Sequence, residues 1–370
     1  MPAFSITLSL YIGRRFAGMV LAMTAALTAL VALFDFIELL RRAATRPDAG
    51  FLLVSSIASL RLPFVVMQIL PFAILLGGIL AFWRLSRASE LVVARAAGIS
   101  AWSFLLGPVF VAACLGGLAT TVLSPLSAAM LSRAERLDAT YLRNAAGLSS
   151  LAGGRLWLRQ ADASLEPGGV AIMAGVPEVG SQGFVLRDVS LWRLSADDRP
   201  LGRVESPQAR LVPGAWVLQD AVAFGANRLP SAPETQRMAT TLTPDRIEES
   251  FASPDTLSFW ALPDFIKVLE SSGFSAVRHR LQFQSLLSLP LLAVAMALLA
   301  AGFSMRHARR GGVAQMMGAG VAAGFVLFLL DKVVEEFGQA GTLPVVLAAW
   351  VPSVAGLLLA LTLLLYVEDG

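Results

Sequence analysis

Residues 16–34 read FAGMVLAMTAALTALVALF, a run without a single charged side chain. A helix needs about 20 apolar residues to cross the ~30 Å hydrocarbon layer of a bilayer, so this run is long enough to span it. Arg14 and Arg15 precede the run, as basic residues precede the apolar h-region of a signal peptide. The run is nevertheless too long for a signal h-region, and no A-x-A cleavage site closely follows it. We therefore predict an uncleaved transmembrane helix.

The composition extends this prediction to the whole chain. Of its 370 residues, 56% are hydrophobic and 15% are charged, and the mean hydropathy is +0.69. An ordinary globular domain carries roughly 25% charged residues. These values predict a polytopic membrane protein and exclude a soluble enzyme, a disordered chain and a secreted disulfide scaffold. The single cysteine, Cys114, has no partner for an intrachain disulfide.

Hydropathy divides the chain into three spans, a more polar insert and three further spans. The predicted spans cover residues 16–34, 63–83, 101–123, 281–305, 313–330 and 343–367. The predicted fold class is a polytopic α-helical membrane protein with six transmembrane helices and an all-β domain inserted between the third and the fourth. The predicted divisions are the first three spans, the insert, a connector and the last three spans, at residues 1–123, 124–258, 259–280 and 281–370.

The insert has the sequence pattern of β structure. Strand-length runs are separated by Gly, Pro, Asp and Ser about every ten residues. These runs cover residues 155–160, 183–194, 202–212 and 215–224. In the last run Trp216, Leu218, Val222 and Phe224 alternate onto one face, which only Asp220 interrupts. The pattern predicts a sandwich, a jelly roll or an open barrel.

The connector at residues 259–280 contains a predicted amphipathic helix over residues 262–272. Turn-forming residues bound this stretch at both ends, and Phe265, Ile266 and Leu269 form its apolar face. A short helix with one apolar face, placed directly before a span, is expected to lie at the membrane surface.

The distribution of arginine orients the spans, because cytoplasmic loops carry an excess of Lys and Arg. With a cytoplasmic N-terminus, the arginines on the cytoplasmic side are Arg14, Arg15, Arg84, Arg87, Arg95, Arg306, Arg309 and Arg310. The insert then lies outside the inner membrane. One loop breaks the rule, since Arg41, Arg42, Arg46 and Arg61 follow span one on the outer side. Two explanations stay open: weak topological pressure on one loop, or an anionic ligand at the outer leaflet.

The sequence lacks the motifs of several enzyme classes. It contains no G-x-x-x-x-G-K-[ST] phosphate loop and no H-E-x-x-H, and His279 and His307 stand at opposite ends of span four. Asp35, Glu38 and Asp331 are the candidate carboxylates for chemistry within the membrane. Charges near helix ends more commonly reach to the interface, so these three side chains have a simpler interpretation as well.

A short charged segment joins spans two and three. Residues 84–98 read RLSRASELVVARAAG, with Ser86 or Ser89 placed as an N-cap and Gly98 just past the end. The pattern predicts a helix over residues 86–97, too short and too charged to span a membrane. On periodicity alone it is either a passive connector or a docking element for a soluble partner.

Several short motifs accompany these predicted spans. LPFAILLGG occupies residues 70–78, and SELVVARAAG at residues 89–98 carries the pattern S-E-L-x-x-x-x-A-x-G between spans two and three. In the second half, SSG at 271–273, RHR at 278–280 and GFVLFLLD at 324–331 continue the series. Together these motifs resemble the LptF/LptG family of lipopolysaccharide export permeases, the LptG branch more than the LptF branch. The similarity covers all six predicted spans, and the insert matches in position and β character.

The resemblance implies a half-transporter of an ABC exporter. In that family one LptF and one LptG form a cavity open to the outer leaflet, and two LptB ATPases grip the cytoplasmic helices. In the same family periplasmic β-jellyroll domains, LptC and LptA form a bridge toward the outer membrane, so the resemblance implies that the insert is a jellyroll-like domain. The implied partners are an LptF-like permease, an LptB-like ATPase dimer, an LptC-like single-span protein, an LptA-like bridge and lipopolysaccharide, with no nucleic acid. The implied location is the bacterial inner membrane with the β domain in the periplasm, and ATP and Mg would bind the partner ATPase rather than this chain.

The resemblance also implies roles for individual residues. Coupling to the ATPase would fall to Arg87, Ser89, Glu90, Leu91 and Val92. Substrate binding would fall to Arg41, Arg42, Arg46 and Lys332. One departure is that the LptG pattern carries a basic residue in the outer half of span one, about where Asp35 stands here. A phosphate-binding role would then pass from that position to Arg41 and Arg42.

Two other classes of protein stay open at this point. A different ABC permease, which pulls lipoproteins or regulates a periplasmic hydrolase, has four spans per subunit rather than six. A membrane-embedded enzyme for a lipid-linked sugar would depend on Asp35, Glu38 and Asp331 as catalytic carboxylates. Copurification with a soluble ATPase would favour the transporter, and lipid turnover by the purified chain alone would favour the enzyme.

Overall fold

The computed structural model describes most of the chain and divides it into two compact units. The described residues are 6–44, 50–88, 90, 101–143, 149–152, 155–161, 170–180, 183–195, 199–224, 230–240, 242, 253–271, 275–307 and 313–368. The helical unit comprises Met1–Asp138, Asp255–Leu262 and Val277–Gly370. The sheet unit comprises Ala139–Pro254 and Pro263–Ala276.

The described part of the chain contains eight α-helices, which alternate with connecting turns and with the strands of the insert. They are α1 (Ile6–Ala43), α2 (Phe51–Arg87), α3 (Ala101–Leu118), α4 (Ser124–Leu137), α5 (Leu262–Ser271), α6 (Val277–His307), α7 (Val313–Gln339) and α8 (Val345–Glu368). In the described part of the chain, five helical stretches are long and apolar enough to cross a membrane: α1, α2, α3 with α4, α6 and α8. Helix α7 has 27 residues and occupies the predicted fifth span. The predicted class of membrane protein is confirmed.

The third span continues as helix well past Leu123, where the sequence predicted its end. A π turn at Ala119–Leu123 joins α3 to α4, and a second π turn at Asp138–Arg143 follows α4. Residues 124–143, predicted to belong to the β insert, are therefore helical. Hydropathy falls here because α4 is amphipathic, with Ala128, Leu131 and Ala134 buried and Arg133 and Arg136 exposed. A drop in hydropathy therefore did not mark the end of the helix.

Small residues allow the helices of the bundle to approach closely. A Cβ atom added to Gly77 would lie 2.7 Å from the Cα of Val20, and one added to Gly116 would lie 2.6 Å from the Cα of Pro290. Any larger residue would push α1 from α2, or α3 from α6. The core around these contacts contains the fully buried side chains Phe16, Ile74, Leu75, Phe82 and Phe104.

Among its described residues, the insert forms one antiparallel sheet of seven strands, and their order in the sheet follows the sequence. The strands are β1 (Ser149–Ala152), β2 (Arg155–Ala161), β3 (Val170–Gly180), β4 (Gly183–Leu194), β5 (Pro200–Val212), β6 (Ala215–Phe224) and β7 (Glu234–Ala239). The described strands form a simple meander, without the crossovers that a Greek-key jelly roll requires. The four predicted strands correspond to β2, β4, β5 and β6. Strand β7 lies in the polar run of residues 234–254, for which the sequence predicts loops or edge strands, and it forms one edge of the described sheet.

Strands β1 and β3 lie outside the runs predicted from the sequence. Strand β3 contains Gly175 and Pro177, two residue types that are uncommon within strands. A β-bulge between Ala174 and Val176 shifts the register at this point, and Pro177 still pairs with Leu186 across the strands. The bulge accommodates the two residues that usually interrupt a strand.

Strand β6 departs from strict alternation at Asp220. Trp216 and Leu218 are buried as expected, but the next fully buried residue is Ala221 rather than Val222. Asp220 has a φ of 49°, and the pairing of β6 with β7 shifts register between Leu218 and Ala221. A bulge thus moves the remaining side chains to the opposite face, which a period of two cannot predict.

Helix α5 confirms the predicted amphipathic helix of the connector. Ile266 and Leu269 are buried and Phe265 is half-buried, while Asp264 and Lys267 are exposed and paired at 3.3 Å. Its position at a membrane surface stays a prediction.

Candidate functional site

The C-terminal end of α1 brings two of the predicted substrate-binding arginines together. Arg41 donates two hydrogen bonds to the Glu38 carboxylate, from Nε at 2.7 Å and from Nη2 at 2.8 Å, and Arg42 Nε donates to it at 2.9 Å. The three side chains share one helix face because they are three and four residues apart. Two arginines and one glutamate leave a net charge of +1. Arg46 lies outside the described residues.

Arg61 of α2 forms a second ion-pair cluster, which the sequence did not predict. Its Nη1 lies 3.0 Å from Asp35 Oδ1 on α1, and its Nη2 lies 3.6 Å from Asp138 Oδ2 at the end of α4. The Asp138 side chain is 1% exposed and that of Arg61 is 17% exposed. The cluster therefore joins three helices through a largely buried arginine. Asp35 thus stands beside an arginine of the neighbouring span.

Lys332, the fourth predicted substrate ligand, lies in a polar cavity within the helical unit. The cavity has a volume of about 250 Å³ and is lined by residues of α2, α4, α6, α7 and α8 and of the Asp255–Leu262 segment. Lys332 Nζ pairs with Glu335 at 2.6 Å, and Asp255 and Asp331 also line the cavity. Neither Arg41 nor Arg42 is among the described residues that line it. The predicted substrate residues thus fall into separate places.

Asp255 places a carboxylate in this cavity from outside the spans. It belongs to a 3₁₀ turn at Pro254–Thr256, and its Oδ1 accepts a hydrogen bond from Gln282 Nε2 at 2.9 Å. Burial raises the pKa of the Asp255 carboxyl, the negative charge of Glu335 raises it further, and the positive charge of Lys332 acts in the opposite direction. The ionised form of Asp255 is therefore disfavoured in the folded protein.

This shift predicts how an Asp255→Asn variant will respond to pH. Because the folded-state pKa is raised, the contribution of Asp255 favours folding below its unfolded pKa and is lost as the pH rises through the folded value. We expect the variant to melt at a higher temperature than the unaltered protein at about pH 8, with a smaller difference at about pH 4. Asparagine still offers an oxygen to Gln282. Asp264→Asn, on exposed α5, is the matched control, and a stabilisation confined to acid pH would contradict the expectation.

At the other end of α2, the predicted coupling residues are described only in part. Ser86 and Arg87 form the last turn of α2 rather than the start of a separate helix, because the backbone leaves the helical conformation only at Ala88. Arg87 lies over the ring of Trp83, 5.5 Å from its centroid. Glu90 Oε1 accepts a hydrogen bond from the Tyr11 hydroxyl at 3.4 Å.

The remaining predicted coupling residues are Ser89, Leu91 and Val92, and all three lie outside the described residues. The helix predicted over residues 86–97 is therefore described only at residues 86–88 and 90. What the structure does place is one carboxylate, half-buried within this chain, beyond the end of α2.

The candidate carboxylates for membrane chemistry do not converge. Asp35 pairs with Arg61, Glu38 pairs with Arg41 and Arg42, and Asp331 lines the cavity on α7. In the described part of the chain, no group of three His, Cys, Asp or Glu side chains is placed to hold a metal ion. The sequence did contain Asp35, Arg61 and Asp138, but nothing in the sequence pattern indicates which of these distant residues meet.

These features define a class of protein: a multi-pass membrane protein with an inserted antiparallel sheet and, among the described residues, ion pairs at its helix ends. The family model of the lipopolysaccharide export system permease LptF/LptG matches residues 10–366. The chain is also 26% identical over 375 residues to the lipopolysaccharide export system permease protein LptG of Escherichia coli strain K12, covering 96% of this chain and 97% of that protein. LptG of Haemophilus influenzae is 22% identical over 349 residues, with 94% and 95% covered. The chain belongs to the LptF/LptG permease family.

Proposed function

We propose that this chain is the LptG-type subunit that extracts lipopolysaccharide from the inner membrane and passes it to a periplasmic bridge, driven by ATP hydrolysis on a partner chain. The observation that carries the proposal is the family match over residues 10–366, which includes both the helical bundle and the inserted sheet. Membership of this family makes the chain a transporter component of the inner membrane rather than a catalytic enzyme. Its role is therefore to bind, move and release a lipid.

The proposed energy input is at the cytoplasmic end of α2. Arg87, Ser89, Glu90, Leu91 and Val92 would contact an LptB-like ATPase dimer, which holds the ATP and Mg. A helix with an apolar face can lie in a groove of a partner protein, and a charged residue beside that face can fix its register. The half-buried position of Glu90 in this chain supports the proposal, because its carboxylate is already partly removed from water.

The proposed second permease is an LptF-like chain that covers the exposed surface of α1. Leu21, Leu30, Leu33, Phe34 and Ile37 along α1 are each more than half exposed. In a membrane such side chains contact lipid or another helix. An LptC-like single-span protein and an LptA-like bridge complete the proposed assembly, in which the sheet unit belongs to the path toward the outer membrane.

The proposed topology places the N-terminus in the cytoplasm and the sheet in the periplasm. The basic residues of the cytoplasmic segments support it, and on the outer side Arg41, Arg42 and Arg61 are each paired with a carboxylate. A protease added to spheroplasts should cut within residues 175–234 or in a similarly exposed loop. Cleavage there by a protease added to inverted vesicles would overturn the topology.

The proposed substrate contacts are Arg41, Arg42, Arg46 and Lys332. Arginine binds phosphate through two parallel charge-assisted hydrogen bonds, and the phosphates of lipopolysaccharide lie at about the headgroup level. The exposed pair Arg41 and Arg42, of which Glu38 neutralises only one charge, is suited to that contact. Lys332 would act separately, because it lies in the cavity and is paired with Glu335.

Replacing Arg41 and Arg42 together with alanine should reduce the lipopolysaccharide that copurifies with the complex. Each partly desolvated contact to a charged phosphate contributes about 1–3 kcal/mol, so we expect a loss of at least about tenfold in lipid occupancy. The measurement is lipid per complex by mass spectrometry, with ATPase assembly as the internal reference. An Arg237→Ala variant on β7 is the matched control. Unchanged occupancy would assign the two arginines to topology or solvation.

Affinity purification of the tagged chain from membranes tests the proposal as a whole. We expect a stoichiometric soluble ATPase and a second six-span permease in the eluate. Turnover of a lipid-linked sugar by the purified chain without such partners would instead establish the alternative class, a membrane-embedded enzyme.

A further inference from the structure

A short segment of the chain contacts the junction of α3 with α4 and the start of α6. This segment, Asp255–Leu262, follows the last strand of the sheet and precedes α5, and we call it the strap. It belongs to the helical unit, as do the helices that it contacts. Its contacts are to the junction of α3 with α4, which leads the chain toward the sheet, and to the start of α6.

The α3–α4 junction offers the strap two unusual hydrogen-bond acceptors. Pro125 has no backbone N–H, so it cannot donate to the carbonyl of Thr121, where a regular helix would place that bond. The indole Nε1–H of Trp260 donates to this carbonyl at 3.1 Å. The neighbouring strap residue, Phe259, donates a hydrogen bond from its backbone N–H to the hydroxyl of Ser124 at 3.0 Å. The strap thus supplies a donor that proline removes from the helix.

The same strap also binds the first turns of α6. The ring of Phe259 stacks on that of Phe283, with centroids 5.1 Å apart and planes 12° from parallel. The carboxylate of Asp255 accepts the bond from Gln282 described above. Two polar contacts to one helix junction and two contacts to another helix leave a segment of eight residues little freedom to move independently of the bundle.

A second proline-released carbonyl connects the two helices directly. Pro290 cannot donate to the carbonyl of Leu286. The hydroxyl of Thr120 on the π turn lies 2.8 Å from that carbonyl and 3.2 Å from the carbonyl of Gly116 in its own helix, so its single proton is directed mainly at Leu286. The contact is buried, and Gly116 packs against Pro290 one turn away. Trp260, the π turn and α6 are therefore joined in series through two carbonyls that proline has left without their usual donor.

We propose that this series of contacts is a mechanical coupling, which makes the strap move with α3 and α6 and so transmits bundle movement to the chain that leaves the sheet. This proposal rests on the proposed function, since it assigns a use to bundle movement. Trp260 and Thr120 are its positioning residues, because each donates to one of the two carbonyls. A coupling of this kind connects ATP hydrolysis to delivery without changing either binding site.

The test uses two conservative variants in the full permease–ATPase assembly. Trp260→Phe removes the indole N–H and keeps an aromatic ring, and Thr120→Val removes the hydroxyl and keeps the branched shape. Trp102→Phe on α3 and Thr362→Val on α8 are matched controls, since Thr362 bonds only the carbonyl of Leu358 in its own helix among its described contacts. The two readouts are hydrogen exchange of the peptide covering residues 255–262, and lipopolysaccharide delivered per ATP hydrolysed.

The expected result is faster exchange of the strap together with lower delivery per ATP. Loss of one hydrogen bond should accelerate exchange in the strap by about fivefold in Trp260→Phe, with normal assembly and normal ATP hydrolysis. Hydrogen exchange that is unchanged in both variants would show that these two hydrogen bonds do not restrain the strap, and would overturn the proposal. Faster exchange with unchanged delivery, or loss of assembly in both variants, would assign these contacts to folding and overturn the coupling role. An unaltered assembly that transports no lipopolysaccharide would refute the proposed function, while the exchange measurement would still decide the strap.

Discussion

Replacing Arg61 with alanine should destabilise the helical unit by ~3–5 kcal/mol, the cost of removing one partner from a buried ion pair. Arg61 lies 3.0 Å from Asp35 and 3.6 Å from Asp138, and the Asp138 carboxylate is almost completely buried. Alanine would remove the arginine and leave that carboxylate buried. The measurement is the melting temperature of the detergent-purified protein and the yield of assembled complex, both of which should fall sharply.

Three further variants separate the loss of charge pairing from the loss of side-chain volume. Arg61→Lys keeps the charge but lacks two Nη groups to reach two carboxylates, so we expect an intermediate loss. Asp138→Asn combined with Arg61→Ala should recover part of the stability, because no buried charge is then left behind. Arg41→Ala is the matched control, since Arg41 forms an exposed pair that contributes little. If Arg61→Ala is as stable as Arg41→Ala, the buried ion-pair cluster does not contribute to the stability of the folded protein.

Reversing the charge of Glu90 should abolish lipid export while the chain still inserts in the membrane. We expect Glu90 to pair with an arginine of the ATPase at a partly desolvated interface. Removing one partner from such a pair costs ~2–5 kcal/mol, and Glu90→Lys adds repulsion to that loss. The measurement is lipopolysaccharide export by the assembled complex. Glu90→Gln should retain part of it, and an Arg→Glu change at the facing position of the ATPase should partly restore export to Glu90→Lys.

The competing account gives Glu90 a role within its own chain. It could complement a helix N-terminus, a contribution of only ~0.3–1 kcal/mol, or hold the Tyr11 hydroxyl. In either case Glu90→Lys would export lipid almost normally, and no ATPase variant would rescue anything. Tyr11→Phe separates the two internal roles, because it removes the hydroxyl and leaves the carboxylate in place.

Hydropathy was sufficient to predict the helical bundle, but it misjudged where one helix ends. The cost of exposing backbone polar groups in lipid requires helices wherever an apolar run reaches about 20 residues. The same rule says nothing about the helix beyond Leu123, which is amphipathic and remains in the helical unit as far as Asp138. The π turn at Ala119–Leu123 has no signature that we recognised in the sequence.

Strand prediction failed where a bulge compensated for an unfavourable residue. Pro177 is paired within β3 because the register shifts beside it, and Asp220 reverses the faces of β6 through its positive φ. Such irregularities depend on the neighbouring strand, so a single strand's sequence cannot reveal them.

The candidate site was predictable only where its residues are close in sequence. Arg41 and Arg42 stand one turn from Glu38, and their ion pairs follow from helix geometry. Arg61 pairs with Asp35 and Asp138, which are 26 and 77 positions from it in the sequence. That pairing depends on how three helices pack. For the same reason Lys332, which belongs by its charge with the arginines, lies instead in the cavity with Asp255 and Glu335.

A reconstituted transfer assay tests most directly whether this chain is the membrane subunit of an ATP-driven lipopolysaccharide exporter. The chain, its partner permease and the ATPase are placed in proteoliposomes with lipopolysaccharide, and a soluble periplasmic acceptor is added outside. We expect lipopolysaccharide to appear on the acceptor only when ATP is hydrolysed, and we expect omission of this chain to abolish the transfer. Transfer that proceeds equally without this chain, or without ATP hydrolysis, would contradict the claim that it is the membrane subunit of an ATP-driven lipopolysaccharide exporter.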